Sequence, residues 1–283
     1  MKVLIIQENG RHDENRDFRE CFSLQRAFEA NGWHTHIWGL NHTGWPKEYD
    51  YEDYDVIFYL EQYDLTGWSP DLSKTKKPYK IMWAIDAHSR GTQPFDYFFN
   101  KNKFDLMLHS TYDYVDNKTR IWFPNAYDND MIYKKTADKV VDVGFCGNVG
   151  NRGDYLNLLS KQDFSFKADI FVIGDAMVNA INSYRIGFNK NVLNDINYRS
   201  FETIGCGTPL ITNFNYQYPS LGFKHGKNCL MYETKDEMID LIKQYLSSED
   251  DLSYIGDKGY DLAKKHTYMQ RVKHLIKYLE DKL

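Results

Sequence analysis

The chain has 283 residues, with 40 acidic and 35 basic side chains and a formal charge of −5. Hydrophobic residues are 42% and aromatic residues 16% of it, which is enough apolar surface for a core and excludes a globally disordered polypeptide. The mild acidity argues against a protein held to nucleic acid mainly by counterion release, although a local basic groove stays open, and the length implies about two domains at roughly 100–200 residues each.

The opening residues MKVLIIQENG are apolar for only a few positions and then charged, which reads as a first strand over 2–7 rather than a signal peptide. DFRECFSLQRAFEANG follows, with apolar residues at helical spacing, Asp17 and Glu20 as a capping box and Gly32 as a stop. WHTHIW is a second strand, so the chain begins with a βαβ unit and a parallel sheet. DVIFYL (55–60), KIMWAI (80–85) and FDLMLHS (104–110) read as buried strands, 61–79 as irregular, and TRIWFPNAYD (119–128) as a last strand with an exit loop. The polar, aperiodic segment 133–142 marks a domain boundary.

A second series starts at VVDVGFCGN (140–148). It continues with a helix over 151–161, strands at 166–174 and 184–190, a helix from SFETIGC, strands TPLITN (208–213) and NCLMY (228–232), a helix over 234–247 and two terminal helical stretches. Both halves therefore read as doubly wound α/β units, whose ligands bind outside the carboxyl ends of the strands. The expected division is 1–137 and 138–267, with a terminal helix, 268–283, returning to the first half, and two such sheets suit group transfer between a donor and an acceptor. Cys21, Cys146, Cys206 and Cys229 are widely spaced without a CxxC pair, so free thiols in a reducing cytosol are expected rather than disulfides or zinc. No apolar run approaches the ~20 residues of a membrane span, and a cytoplasmic protein is the expectation.

The most informative stretch is NYRSFETIGCGTPLITN, 197–213. It places Arg199 and Glu202 in the first turns of a helix that ends at Gly205–Gly207. Free amides at a helix N-terminus attract phosphate, Arg199 adds charge there, and Glu202 one turn on is able to accept hydrogen bonds from sugar hydroxyls. On the residues alone, a surface glutamate and a helix–glycine stop remain equally open.

R-x-F-E-x-x-x-x-G-T-P-L-I-T resembles the donor-site motif of GT-B glycosyltransferases, in particular the spore-coat CgeB-like group within the glycosyl transferases group 1 family. VDVGFCGNVGNRGDYLNLL, GFKHGKNCLMYETKDEMIDLI and HTYMQRVKHLIKYL resemble further segments of that group in the same order, covering about 138–283. The resemblance implies an α/β GT-B fold, two Rossmann-like domains facing a central cleft. It implies a metal-independent hexosyl- or pentosyltransferase that uses a nucleotide-sugar as co-substrate and no cofactor. Glu202 would hold the ribose, with Arg199, Gly147, Asn148, Arg185 and Lys190 near the diphosphate. Many retaining members carry a second glutamate eight positions before the one matching Glu202; Asn194 stands there in this chain, which leaves the stereochemistry open.

The first half should supply the acceptor site and a general base. The loop after the first strand offers His12 and Asp13 as bases, with Gly10, Arg11 and Glu14 toward the acceptor. The loop after KIMWAI offers Asp86 and His88 as a mutually orienting pair. Two basic clusters, Arg11, Arg16, Arg19 and Arg26 and the segment 73–80, lie in sequence near Trp45, Trp68, Tyr49, Tyr51 and Tyr54, a composition that also stacks sugars or extruded bases. The acceptor could thus be a saccharide, a protein, a small molecule or hydroxymethylated pyrimidines of phage DNA. Lysine outnumbers arginine 25 to 10, a usage typical of AT-rich genomes that keeps the phage reading open. A non-catalytic nucleotide-sugar-binding module and a nucleotide-sugar epimerase are the remaining readings.

Overall fold

The computed structural model describes residues 1–10, 12–47, 49–61 and 67–283, and of 14–16 only the backbone. Two compact units are present, Met1–Asn125 with Tyr268–Leu283, and Ala126–Thr267.

In the first unit, β1 (Lys2–Ile6), β2 (His34–Trp38), β3 (Val56–Leu60), β4 (Tyr79–Ala84), β5 (Leu106–His109) and β6 (Arg120–Trp122) form one sheet in the order β2-β1-β3-β4-β5-β6. Every pairing is parallel. A parallel sheet is covered on both faces and so uses continuous apolar strands rather than alternating ones. VIFYL of β3 is accordingly buried at all positions. One face packs Leu4, Ile6, Ile57, Tyr59 and Met82 against Phe95 of helix α3 (Gln93–Asn102), which follows the single-turn α2 (Ala87–Arg90). On the other face Phe58 meets Phe28 of α1 (Glu20–Ala30), and Trp83 meets Tyr268.

The second unit contains β7 (Val141–Gly147), β8 (Phe166–Ile170), β9 (Tyr184–Phe188), β10 (Leu210–Asn213) and β11 (Leu230–Tyr232), ordered β11-β10-β9-β7-β8 and again parallel. Helices α4 (Gly153–Leu159), α5 (Gly174–Asn182), α6 (Tyr198–Gly205), α7 (Lys235–Leu246) and α8 (Glu249–Ala263) surround it. Gly187 of β9 lies under Thr203 of α6, where a Cβ would come within 2.5 Å of the threonine methyl, so α6 packs directly on the strand backbone. Helix α9 (Tyr268–Leu279) returns to the first unit, where Asn31 Nδ2 reaches Met269 Sδ at 3.3 Å.

Two local expectations are corrected. Helix α1 begins at Glu20 behind Arg19, and Asp17 sits in a 3-10 turn, so the capping box does not form. Glu20 is instead engaged by Gln7, whose Nε2 donates to it at 2.8 Å while its Oε1 accepts from the Cys21 amide. The break between units falls twelve residues before the expected 137/138, because the polar segment is strapped onto the second unit. Lys135 N donates to Asn182 Oδ1 at 2.7 Å, Asn182 Nδ2 donates to Tyr133 O, and the Tyr127 ring fills the space a Gly205 side chain would need. No helix among the described residues is long and apolar enough to cross a membrane.

Candidate functional site

In each sheet the chain order reverses once, between β1 and β3 and between β7 and β9. The carboxyl ends of the strands flanking such a reversal diverge and leave a crevice for ligand. The two crevices have opposite chemistry.

In the second unit, β7 runs out into Gly147-Asn148-Val149-Gly150. Gly147 and Gly150 have φ of +150° and +44°, a backbone path that favours glycine, and Asn148 Oδ1 accepts from the Gly150 amide at 3.1 Å. Arg152 latches this loop to the one after β9, donating from Nε to Lys190 O at 2.9 Å and from a terminal nitrogen to Asn148 O at 3.1 Å. Its guanidinium lies 5.9 Å from the Phe145 ring centroid. Lys190 and Lys235 both lie over Tyr155, at 5.4 and 4.9 Å. Burial and then the nearby Arg199 charge pull the Arg152 pKa down; burial and then Arg152 and Lys235 do the same to Lys190. Crowded, half-buried cations of this kind are held in an unfavourable potential that an anion relieves. Gly147, Asn148 and Lys190 were foreseen; Arg152 was not, since its role is visible only once two loops distant in sequence meet.

Helix α6 brings Arg199 and Glu202 together, a terminal nitrogen of the guanidinium lying 2.9 Å from Glu202 Oε2. Both side chains are largely buried, at 17% and 14% exposure. Burial opposes the charge of Arg199, but Glu202, together with Cys146, Tyr184 and Cys206, outweighs it and holds its pKa above the ordinary value. The approach to α6 is fixed by a buried amide network that the sequence did not reveal. Asn189 Nδ2 donates to Asn197 Oδ1 and Ser200 Oγ at 3.0 Å each, and Asn191 Nδ2 donates to the Tyr218 hydroxyl at 2.8 Å. Satisfied buried networks of this type hold a loop in one conformation. Asn194, between these residues, is exposed, and its carbonyl accepts from Asn215 and Gln217.

In the first unit the crevice is acidic. Glu8 follows β1 and is paired at 3.0 Å with Arg19; burial raises its pKa more than Arg19 lowers it. Glu61 follows β3, is 2% exposed, and takes the Asp86 amide on Oε2 and the Arg90 guanidinium on Oε1, each at 2.6 Å. Burial pushes its pKa up to about 7. Glu61 thus holds the Asp86–Arg90 turn in place, a role absent from the motif reading because nothing in VIFYLEQYD distinguishes it from a solvated glutamate. His88 is half-buried, and burial lowers its pKa against the opposing charge of Asp86. His12 and Asp13 are exposed, and the Gly10 amide is turned back onto Asn9 Oδ1 at 2.9 Å. Arg11 lies outside the described residues, as do the side chains of Glu14 and Arg16.

Other expectations are corrected. Arg185 is at the amino end of β9, away from the crevice, where it bridges Asp142 and Glu249 at 2.9 Å each and donates to Leu246 O. Trp38, Trp45 and Trp68 pack on one another, with centroids 5.0–6.0 Å apart, and Tyr54 is buried with its hydroxyl 2.6 Å from His36 Nδ1; they join the first unit's core rather than form a stacking platform. Arg19 is tied to Glu8, and Lys80 is buried with its ammonium donating to the carbonyls of Leu72, Thr75 and Asn102. Among the described residues no group of three or more His, Cys, Asp or Glu is arranged to hold a metal ion.

Two parallel α/β units in this strand order have the fold of GT-B glycosyltransferases. Residues 146–277 match the family described as glycosyl transferase-like. Among solved structures, sucrose-phosphate synthase from Thermosynechococcus elongatus shares the fold at 10% identity, a TM-score of 0.68 and 100% coverage of both chains. Anabaena HepE, solved in complex with UDP and glucose, matches at 11% identity and TM-score 0.66, over 99% of this chain and 100% of its own. The DNA modifying enzyme β-glucosyltransferase matches at 13% identity and TM-score 0.68, over 99% of each chain. No curated protein sequence matches.

Proposed function

We propose that this protein transfers a sugar from a nucleoside diphosphate sugar to an acceptor hydroxyl, with the second unit holding the donor. The observation that carries this reading is the latch of Arg152 across the loops after β7 and β9, beside Lys190. It sets two cations where a diphosphate leaving group develops charge, and preorganised cations lower the barrier to its departure. Glu202, held by Arg199, accepts from the donor's ribose hydroxyls. Asn194 takes the place of the second acidic contact. In the first unit, His88 is the base that deprotonates the acceptor, oriented by the Asp86 turn that Glu61 anchors. The Arg and Lys cations make a metal dispensable in this reading, and the nucleotide-sugar is a co-substrate, so no resident cofactor is required.

The acceptor is to be sought by class. The fold of this chain is shared with a DNA-modifying glucosyltransferase, which supports including hydroxymethylated DNA beside saccharides. A thermal-shift screen of nucleotide sugars, followed by donor hydrolysis with EDTA, with Mn²⁺ and with each acceptor class, tests the reading. Stabilisation by one donor and its turnover in EDTA are expected. Binding without turnover under any condition marks a binding module, and loss of turnover in EDTA overturns the metal-independent mechanism.

A further inference from the structure

A cavity of about 300 Å³ lies in the second unit at the amino ends of β9 and β10, the end of the sheet opposite the donor crevice. Four cations line it, Lys134, Lys135, Lys139 and Arg185, against two acids, Glu249 and Asp257. Both acids are already paired: Asp257 with Lys134 and Glu249 with Arg185, each at 2.9 Å. Among the described residues the hydrogen-bond partners of the two remaining lysines are neutral. Lys135 Nζ donates to Asn179 Oδ1 at 2.9 Å, and Lys139 Nζ donates to Thr208 Oγ1 at 3.2 Å. The wall opposite is glycine. Gly207 has φ of +68° and a Cβ there would strike the Lys134 stem at 2.6 Å, while a Cβ on Gly256 would meet Gly207 O at 2.9 Å. The absence of side chains at both positions lets the end of α6, α8 and Lys134 approach closely along this wall. The carbonyls that end α6 are answered within the chain, by the amides of Cys206 and Gly207, so they do not present open acceptors to an anion.

We propose that this cavity binds a small phosphate-class dianion between Lys135 and Lys139, at a site separate from the donor crevice. A dianion matches the two cations left without a carboxylate, and the volume admits a phosphoryl group with or without a small sugar. Although Lys139 as a residue is exposed, desolvation of its ammonium, opposed by Cys206 and reinforced by the Lys134 charge, lowers its pKa to about 8, the direction expected of a cation beside other cations.

The test is a lysine NMR titration of the full chain with ¹³C-labelled lysine, the Lys139 resonance being assigned by its loss in Lys139→Met and, should that variant fail to fold, by its loss in Lys139→Arg. Inorganic phosphate at millimolar concentration should raise the Lys139 pKa by about one unit, equivalent to about tenfold tighter binding to the charged lysine. A hexose phosphate run in parallel distinguishes the source: movement with both assigns the phosphoryl group alone, and movement with one names that ligand. The Lys190 resonance reports the donor crevice separately. If Lys190 moves and Lys139 does not, or if neither moves, the proposal is overturned.

Discussion

The two units share a strand order at their reversal points but differ in charge. Behind β7 and β9 stand Arg152 and Lys190, crowded and lacking an acidic partner within ion-pair distance among the described residues. Behind β1 and β3 stand the half-buried Glu8 and the buried Glu61, each with an arginine and each with a raised pKa. In the function proposed above, one topology thus supplies a positive potential for an anionic donor in one unit and proton-handling groups in the other. Strand order sets where a ligand is received; the residues in the first turn after each strand set which one.

The sharpest way to break this contrast is at the proton. His88→Ala should lower kcat by about 10²–10⁴-fold while leaving donor affinity unchanged in steady-state kinetics and calorimetry. A matching loss of donor affinity would remove the division of labour. Next is the anchor Glu61. Its pKa in the folded protein is about 7 against 4.5 in the unfolded chain, so its contribution to stability is fully present below 4.5 and is lost as pH rises through 7. The loss amounts to about 3 kcal/mol at most. Glu61→Gln should flatten urea-derived stability over this window, and an unchanged slope would show that Glu61 titrates normally.

Lys190→Met should weaken donor binding by about 1.5–3 kcal/mol, the range for a charge-assisted hydrogen bond. Glu202→Ala should cost about 1–3 kcal/mol of donor affinity through lost ribose contacts. The two effects separate in calorimetry, because a nucleoside diphosphate without sugar retains both contacts, whereas inorganic diphosphate retains only that of Lys190.

Much of the frame was legible in the chain. Runs such as VLII, VIFYL and IMWA are continuous and apolar because a parallel sheet is buried on both faces, and their alternation with helical periods implies the topology. Gly147 and Asn148 were readable through the resemblance of their segment, and Arg199 and Glu202 through helical spacing taken together with that resemblance. Arg152, Glu61 and Asn189 were not. Each acts through a partner 25 or more residues away in sequence, or inside a buried network, and an isolated Arg, Glu or Asn has no local signature of that. Arg185 misled for the converse reason: its strand was read correctly, but which end of it faces the crevice follows from sheet direction, and Asp142 and Glu249 claim the charge.

The most direct measurement is the calorimetric affinity of nucleoside diphosphates, UDP, GDP and ADP in turn, for the wild-type chain, Lys190→Met and Glu61→Gln. At least one should bind the wild type and Glu61→Gln equally and bind Lys190→Met about tenfold or more weakly. Equal binding by all three proteins, or a loss confined to Glu61→Gln, would contradict the assignment of the donor to the cationic crevice of the second unit.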